Sequence, residues 1–169
     1  TALMKAFQAC SRTRQGLGKE ICDTVSLLLS GDDVDMLVMF SQLEFCTSLC
    51  QFFSGCYKDK DSAMAACRVC TRLCKQPSTR RALGMSGLCQ TLQMALSEHI
   101  SEQKFVLLAL DFSFALAYDC QENIESLASA EYCSCIAEIL NRENYSENAA
   151  MMTACLRVVC VLASNRVVR

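Results

Sequence analysis

The chain has one proline, no tryptophan and one histidine in 169 residues. Proline breaks helices and is kept out of sheet interiors, so its scarcity leaves long stretches free to run as helix. Strict apolar–polar alternation, the mark of half-buried strands, is also scarce. These absences exclude a turn-rich β-sandwich or barrel and point to an all-α protein. Charge of one sign is missing too: 16 basic residues face 18 acidic ones, and the net charge is −2. Without a long basic run there is no footprint for a phosphate backbone, and no nucleic-acid partner is expected. The longest apolar stretch, Phe105 to Tyr118, has 14 residues and contains Asp111. It is too short and too polar to span a bilayer, so no membrane insertion is expected. No signal-peptide pattern opens the chain at Thr1.

Apolar residues and cysteine are what the chain has in quantity. Hydrophobic residues make up 52%, and there are 14 cysteines. The cysteines sit inside apolar stretches rather than in Gly/Pro-rich loops. They therefore read as small packing groups of a reduced protein, and an intracellular location (cytoplasm or nucleus) is expected. Cys46, Cys50, Cys67 and Cys70 together read C-x3-C-x16-C-x2-C, which approaches zinc-ribbon spacing. Both pairs lie among Phe45, Leu49, Val69 and Leu73 in helical context, so packing is the reading adopted. No metal and no cofactor are expected.

Chemistry finds little support elsewhere. His99 stands beside Glu98 at a predicted helix end, where it favours the helix dipole. No nucleophile-elbow sequence surrounds it. Glu98 with Glu102 and Glu143 with Glu147 lie in polar connectors as solvated groups. Gly16-x-Gly18 and Gly84-x-x-Gly87 lack the strand and the Lys-Ser/Thr of a phosphate loop. They are expected at sharp bends between helices. The protein is not expected to be an enzyme.

A short phrase recurs. Ile21-Cys22 is followed by Val25 and Leu29, Leu88-Cys89 by Leu92 and Leu96, and Tyr132-Cys133 by Ile136 and Leu140. Each set falls on one helical stripe. Thr13-Arg14 with Leu17-Gly18 and Thr79-Arg80 with Leu83-Gly84 extend the first two copies upstream. Cys89 and Cys133 are 44 residues apart, whereas Cys22 and Cys89 are 67 apart. The first interval is that of a two- or three-helix repeat, and the second leaves room for one extra helix between Val34 and Tyr57. A second phrase repeats as ACRVCTRL (66–73), ALDFSFAL (109–116) and CLRVVCVL (155–162), with Leu73, Leu116 and Leu162 spaced by 43 and 46.

The pattern drafts eight helices: Ala2–Ser11, Lys19–Ser30, Val34 to about Phe53, Ala63–Lys75, Arg80–Ser97 (broken near Gly84–Gly87), Glu102–Tyr118, Asn123–Leu140 and Glu147–Ala163. Asp32 or Asp33, Asp61 or Ser62, Ser101 and Ser146 stand where N-caps belong, and Pro77 closes the helix before it. No linker divides the chain, so residues 1–169 are read as one domain. The tail from Ser164 to Arg169 reads as the start of another repeat, and the chain is expected to be part of a longer protein.

The trio Arg80–Met85, Ser86–Ser97 and Glu102–Tyr118 resembles an armadillo repeat, with HEAT as a near neighbour. The resemblance implies a right-handed α-solenoid of about three to four repeats with one extra inserted helix. It also implies a non-catalytic scaffold that binds a protein or peptide on its concave face. That family carries an Asn ladder on the third helix; the matching positions here are Arg72, Ala115 and Val161, and none is Asn. A large groove residue four positions earlier matches Arg68, Asp111 and Arg157. This row reads either as a mixed-charge partner surface or as an inter-repeat Arg–Asp–Arg ladder, and both readings stay open. Met36, Met39 and Phe40 in the supposed inserted helix offer a second candidate interface, for a partner or for self-association. Other roles left open are a structural or oligomerisation module of a larger assembly and a regulatory domain of a larger protein.

Overall fold

The arrangement of the chain comes from a computed structural model, in which residues 15–31 and 34–164 are described. The drafted helix Ala2–Ser11, the caps Asp32 and Asp33, and the tail beyond Ser164 lie outside these residues. Among the described residues the protein is all-helical: α1 (Gln15–Leu28), α2 (Val34–Phe40), α3 (Leu43–Cys56), α4 (Lys60–Leu73), α5 (Pro77–Met85), α6 (Leu88–Glu98), α7 (Gln103–Ala117), α8 (Gln121–Leu127), α9 (Ala130–Asn141), the single turn α10 (Glu143–Ser146) and α11 (Ala149–Ala163).

Local chemistry sets these boundaries. Asp59 Oδ2 accepts from the Ser62 amide and caps α4. Ser129 Oγ accepts from the Tyr132 amide and caps α9, and Asn148 Oδ1 accepts from the Met151 amide and caps α11. Each satisfies one of the amides that a helix start leaves without an intrahelical partner. The expected caps at Asp61 or Ser62, Ser101 and Ser146 are thus corrected: Asp59 and Asn148 cap α4 and α11, and Glu102 stands at the N-cap of α7 without a side-chain hydrogen bond. Ser129 also splits the drafted helix Asn123–Leu140 into α8 and α9. Pro77 closes nothing by itself; it opens α5 at the first helical position, where its missing N–H costs no hydrogen bond. Gly87, at φ +83°, makes the bend between α5 and α6 that a residue with a Cβ would strain.

The helices fall into three consecutive trios: α2–α3–α4, α5–α6–α7 and α8–α9–α11. In each, a short helix turns into a second and a third follows; in the second and third trios the third helix packs against both, and in the first α4 packs against α3. The third helices stack side by side, α4 on α7 and α7 on α11. Helix α1 packs on the far side of α4, in the place of a further third helix.

This arrangement corrects the expected extra helix. The segment from Val34 to Phe53 is not one long helix; it bends by 67° between α2 and α3. Helices α2 and α3 are the first and second members of an ordinary trio. Buried Phe40, Leu83 and Leu127 mark equivalent positions of the three first helices, at intervals of 43 and 44 residues. In the second helices Phe45-Cys46-Leu49-Phe53 is the unrecognised copy of the phrase, 43 residues before Leu88-Cys89-Leu92-Leu96. Ile21-Cys22 belongs to a third-helix position, and the 67-residue interval was a comparison of unlike helices. Gly18 is likewise no bend: it lies inside α1, where an added Cβ would stand 2.2 Å from the Phe52 ring.

One continuous core runs between the layers, from Ile21 and Val25 through Phe53, Leu73 and Leu92 to Leu110 and Val158. Burying such side chains contributes about 1.5–3 kcal/mol each. Several polar groups inside it are matched. The Tyr132 hydroxyl donates to Ser113 Oγ, which donates to the Ala109 carbonyl at 2.7 Å. Asn123 donates from Nδ2 to the carbonyls of Arg80 and Leu116, both at 2.8 Å, tying α8 to α5 and α7.

Candidate partner-binding face

The third helices carry the candidate face. Arg68, Asp111 and Arg157 occur at the same place on α4, α7 and α11, and Asp23 holds that place on α1. The row therefore alternates in sign over four helices. Arg68 Nη2 meets Asp23 Oδ1 at 2.9 Å, and Arg157 Nη1 meets Asp111 Oδ1 at 3.1 Å. No ion pair joins Arg68 to Asp111. Lys19 adds a second cation to Asp23 at 2.8 Å, one turn away on α1. Burial acts to raise the Asp23 carboxyl, but hydrogen bonds and charge from Lys19 and Arg68 outweigh it and hold it below the usual carboxylate range. Side chains of the Arg157–Asp111 pair are nearly half exposed, so the pair contributes about 0–1 kcal/mol and stays open to solvent or a partner.

Arg157 also lies over the Phe114 ring, with its guanidinium carbon 4.1 Å from the ring centre. Phe114 in turn packs against Tyr118, one turn on along α7, at 5.6 Å between ring centres. Thus Asp111 and Phe114 of α7 and Tyr118 just past its end share one stripe, with Ala115 half-buried beside them. A groove of about 620 Å³ follows this stripe; Asp111, Ala115 and Arg157 line it with Phe114, Tyr118 and Arg80. A second recess of about 830 Å³ adjoins it across Tyr118, and Val161 lines that one.

The remaining sequence-predicted residues stand apart from the groove. Arg72 is turned back toward α1, donating from Nε to Ser26 Oγ at 3.3 Å and from Nη1 to the Leu29 carbonyl at 3.1 Å. It satisfies a carbonyl at the end of α1, a place where a cation also suits the helix dipole. Arg68 is engaged with Asp23. Phe40, offered as part of a second interface, is a core residue only 1% exposed, packed edge to face on Phe45 at 5.1 Å. Met36 and Met39 are half-buried against the same core. The apolar side chains that α2 exposes are Val34 and Val38.

Sequence reasoning missed Asp23, Phe114, Tyr118 and Arg80. Asp23 was hidden because α1 was matched to second helices. The two aromatics had a readable signal, since residues 111, 114 and 118 share one helical face.

Among the described residues the thiols are unpaired, and all but Cys133 and Cys160 are buried. Burial pushes Cys46 up to about 11 and Cys50, Cys56 and Cys89 up to about 12. Cys67, Cys70 and Cys74 are raised further for the same reason. Such groups remain thiols and are poor nucleophiles. Among the described residues no cluster of three or more His, Cys, Asp or Glu is placed to hold a metal. His99 caps α6, and its Nε2 lies 2.8 Å from the Tyr57 carbonyl, joining the second trio to the first. No single described helix is long and apolar enough to cross a membrane.

No protein-family model matches the chain, and no curated protein sequence does. A crystal structure of an engineered protein from a structural-genomics programme is similar in fold. The alignment covers 97% of this chain and 80% of that one, at 15% identity and a TM-score of 0.57. The likeness is one of backbone arrangement alone.

Proposed function

We propose that the chain is an armadillo-like α-solenoid segment that acts as a non-catalytic scaffold and holds a protein partner along its stacked third helices. The observation that carries this reading is the open groove of about 620 Å³ on α7, walled by the half-exposed Arg157–Asp111 pair and the Phe114 and Tyr118 rings. Stacked helical arrays characteristically use such continuous faces for partners, and aromatic and arginine side chains concentrate binding energy there. Unpaired buried thiols support an intracellular setting.

Ala115→Arg tests the reading, because it fills the groove from a half-buried position without touching either ion pair. Proteins retained from a cell extract by the immobilised chain should be lost with Ala115→Arg and kept with Lys104→Glu, an exposed change on the same helix. Equal retention by all three forms would place binding elsewhere.

One observation favours a second reading, an oligomerisation module. Cys133, Ile136, Leu140, Val159 and Leu162 line an apolar recess of about 430 Å³ between α9 and α11. If that recess joins copies of the chain, mass by light scattering should rise with concentration and return to the monomer in Val159→Glu.

A further inference from the structure

Arg80 lies on α5 and is 8% exposed. Its Nη1 donates to the Tyr118 carbonyl at the end of α7, and its guanidinium carbon lies 5.5 Å from the Tyr118 ring centre. Its Nε is buried without any hydrogen-bond partner. Among the described residues no carboxylate pairs with Arg80: the neighbouring ion pairs are Arg81–Glu122 at 2.8 Å and Arg157–Asp111. A buried cation ordinarily has a counter-ion, because desolvation is otherwise uncompensated. The negative end of α7 offsets part of that cost. Nε itself is sealed from the groove, but the side chain it belongs to lines it. Arg157 lines it as well but is paired with Asp111, which leaves Arg80 as the wall's cation without a carboxylate among the described residues.

We infer that this groove takes an acidic segment of the partner protein, with one Asp or Glu carboxylate seated against Arg80 and an aliphatic or aromatic neighbour against Phe114 and Tyr118. The inference rests on the partner-binding reading above and names the chemistry of its ligand. A cation without a carboxylate selects an anion, and the planar guanidinium matches a carboxylate. Asp111 in the same wall opposes a doubly charged phosphate more than a singly charged carboxylate. The two rings make the rest of the site apolar, so a carboxylate flanked by polar residues alone would leave them unfilled.

The test is a displayed library of random peptides selected in parallel on the wild-type chain, on Arg80→Gln and on Lys75→Glu, with circular dichroism melts to establish that each variant is folded. Wild type should enrich Asp or Glu beside an aliphatic or aromatic residue, and Arg80→Gln should not. A synthetic peptide from that pool should lose about tenfold or more in affinity on Glu→Gln exchange, as expected for a charge-assisted hydrogen bond. Replacing the same glutamate by phosphoserine should weaken it too. Lys75→Glu alters an exposed side chain that lines the groove and should reduce affinity even if Arg80→Gln proves unfolded. Peptides without acidic residues, or affinity indifferent to Glu→Gln exchange, would overturn the acidic-segment inference. The groove would stand in that case if Ala115→Arg abolished their binding. No enrichment on wild type would overturn both.

Discussion

Single side chains in this protein are often chosen by the neighbour one repeat away. Tyr132 stands where Leu88 and Phe45 stand in the preceding trios, 44 and 87 residues earlier, but brings a hydroxyl into the core. Ser113 on α7 accepts it, and Cys70 stands at the equivalent place on α4. Tyr132→Phe leaves Ser113 with an unfilled acceptor, so it should cost about 1 kcal/mol in urea denaturation, and Tyr132→Phe with Ser113→Ala should cost less than the sum. Glycine follows the same rule. A Cβ at Gly84 would lie 1.7 Å from Asn123 Oδ1, displacing the amide that bridges Arg80 and Leu116. Gly84→Ala should lower stability by about 2–4 kcal/mol. At Gly55, inside α3, an added Cβ meets nothing within 4 Å. Gly55→Ala should instead raise the melting temperature, by about 0.5–1 kcal/mol of stability.

At the level of helices, the contact between α1 and α4 is the one tied to pH. The Asp23 carboxyl is held below its ordinary range, so its pairing with Lys19 and Arg68 contributes stability above the unfolded-state value of about 3.9. That contribution fades as pH falls through the lower folded value. Asp23→Asn should therefore be less stable than wild type at neutral pH, by under about 1 kcal/mol given the partial exposure, and the two should converge once the pH falls below the lowered folded value. Urea midpoints along a pH series would show it. The third-helix row was legible beforehand, because Leu73, Leu116 and Leu162 recur with the large groove residues at a fixed offset. The second helices were not. An apolar-Cys-apolar-Leu stripe occurs on α1 at Ile21-Cys22 as well as on α6 at Leu88-Cys89, so it does not tell a second helix from a third. Phe53 stands where the stripe has Leu in the later copies, which concealed α3 and made α2 look like an insertion. In the third copy the pattern held but its burial did not: Cys133 faces outward into the recess between α9 and α11.

Across the whole molecule, successive trios are joined by repeating polar links at the turns between second and third helices. His99 reaches the Tyr57 carbonyl, and the Tyr145 hydroxyl reaches the Ile100 carbonyl at 2.9 Å. Lys60 pairs with Glu102 at 3.0 Å. These links stand where the third helices begin, and the groove follows the later half of α7. All-helical character was legible in composition, since one proline and scarce alternation leave little else. The groove was not, because it depends on Arg80 from a first helix meeting Tyr118 from a third, and no spacing along the chain announces that meeting.

The distribution of thiols turns each trio into its own clock. A cysteine sealed in the core reacts with an alkylating reagent only when its surroundings open, so its labelling time reads the free energy of that opening. Cys133 and Cys160 should label within the mixing time of the intact protein. Cys46, Cys50, Cys67 and Cys70 time the first trio, Cys89 the second and Cys155 the third. Peptide mass spectrometry of a timed alkylation would rank the three. Equal times would mean that the array opens all at once, whereas a graded series would give the direction in which it comes apart.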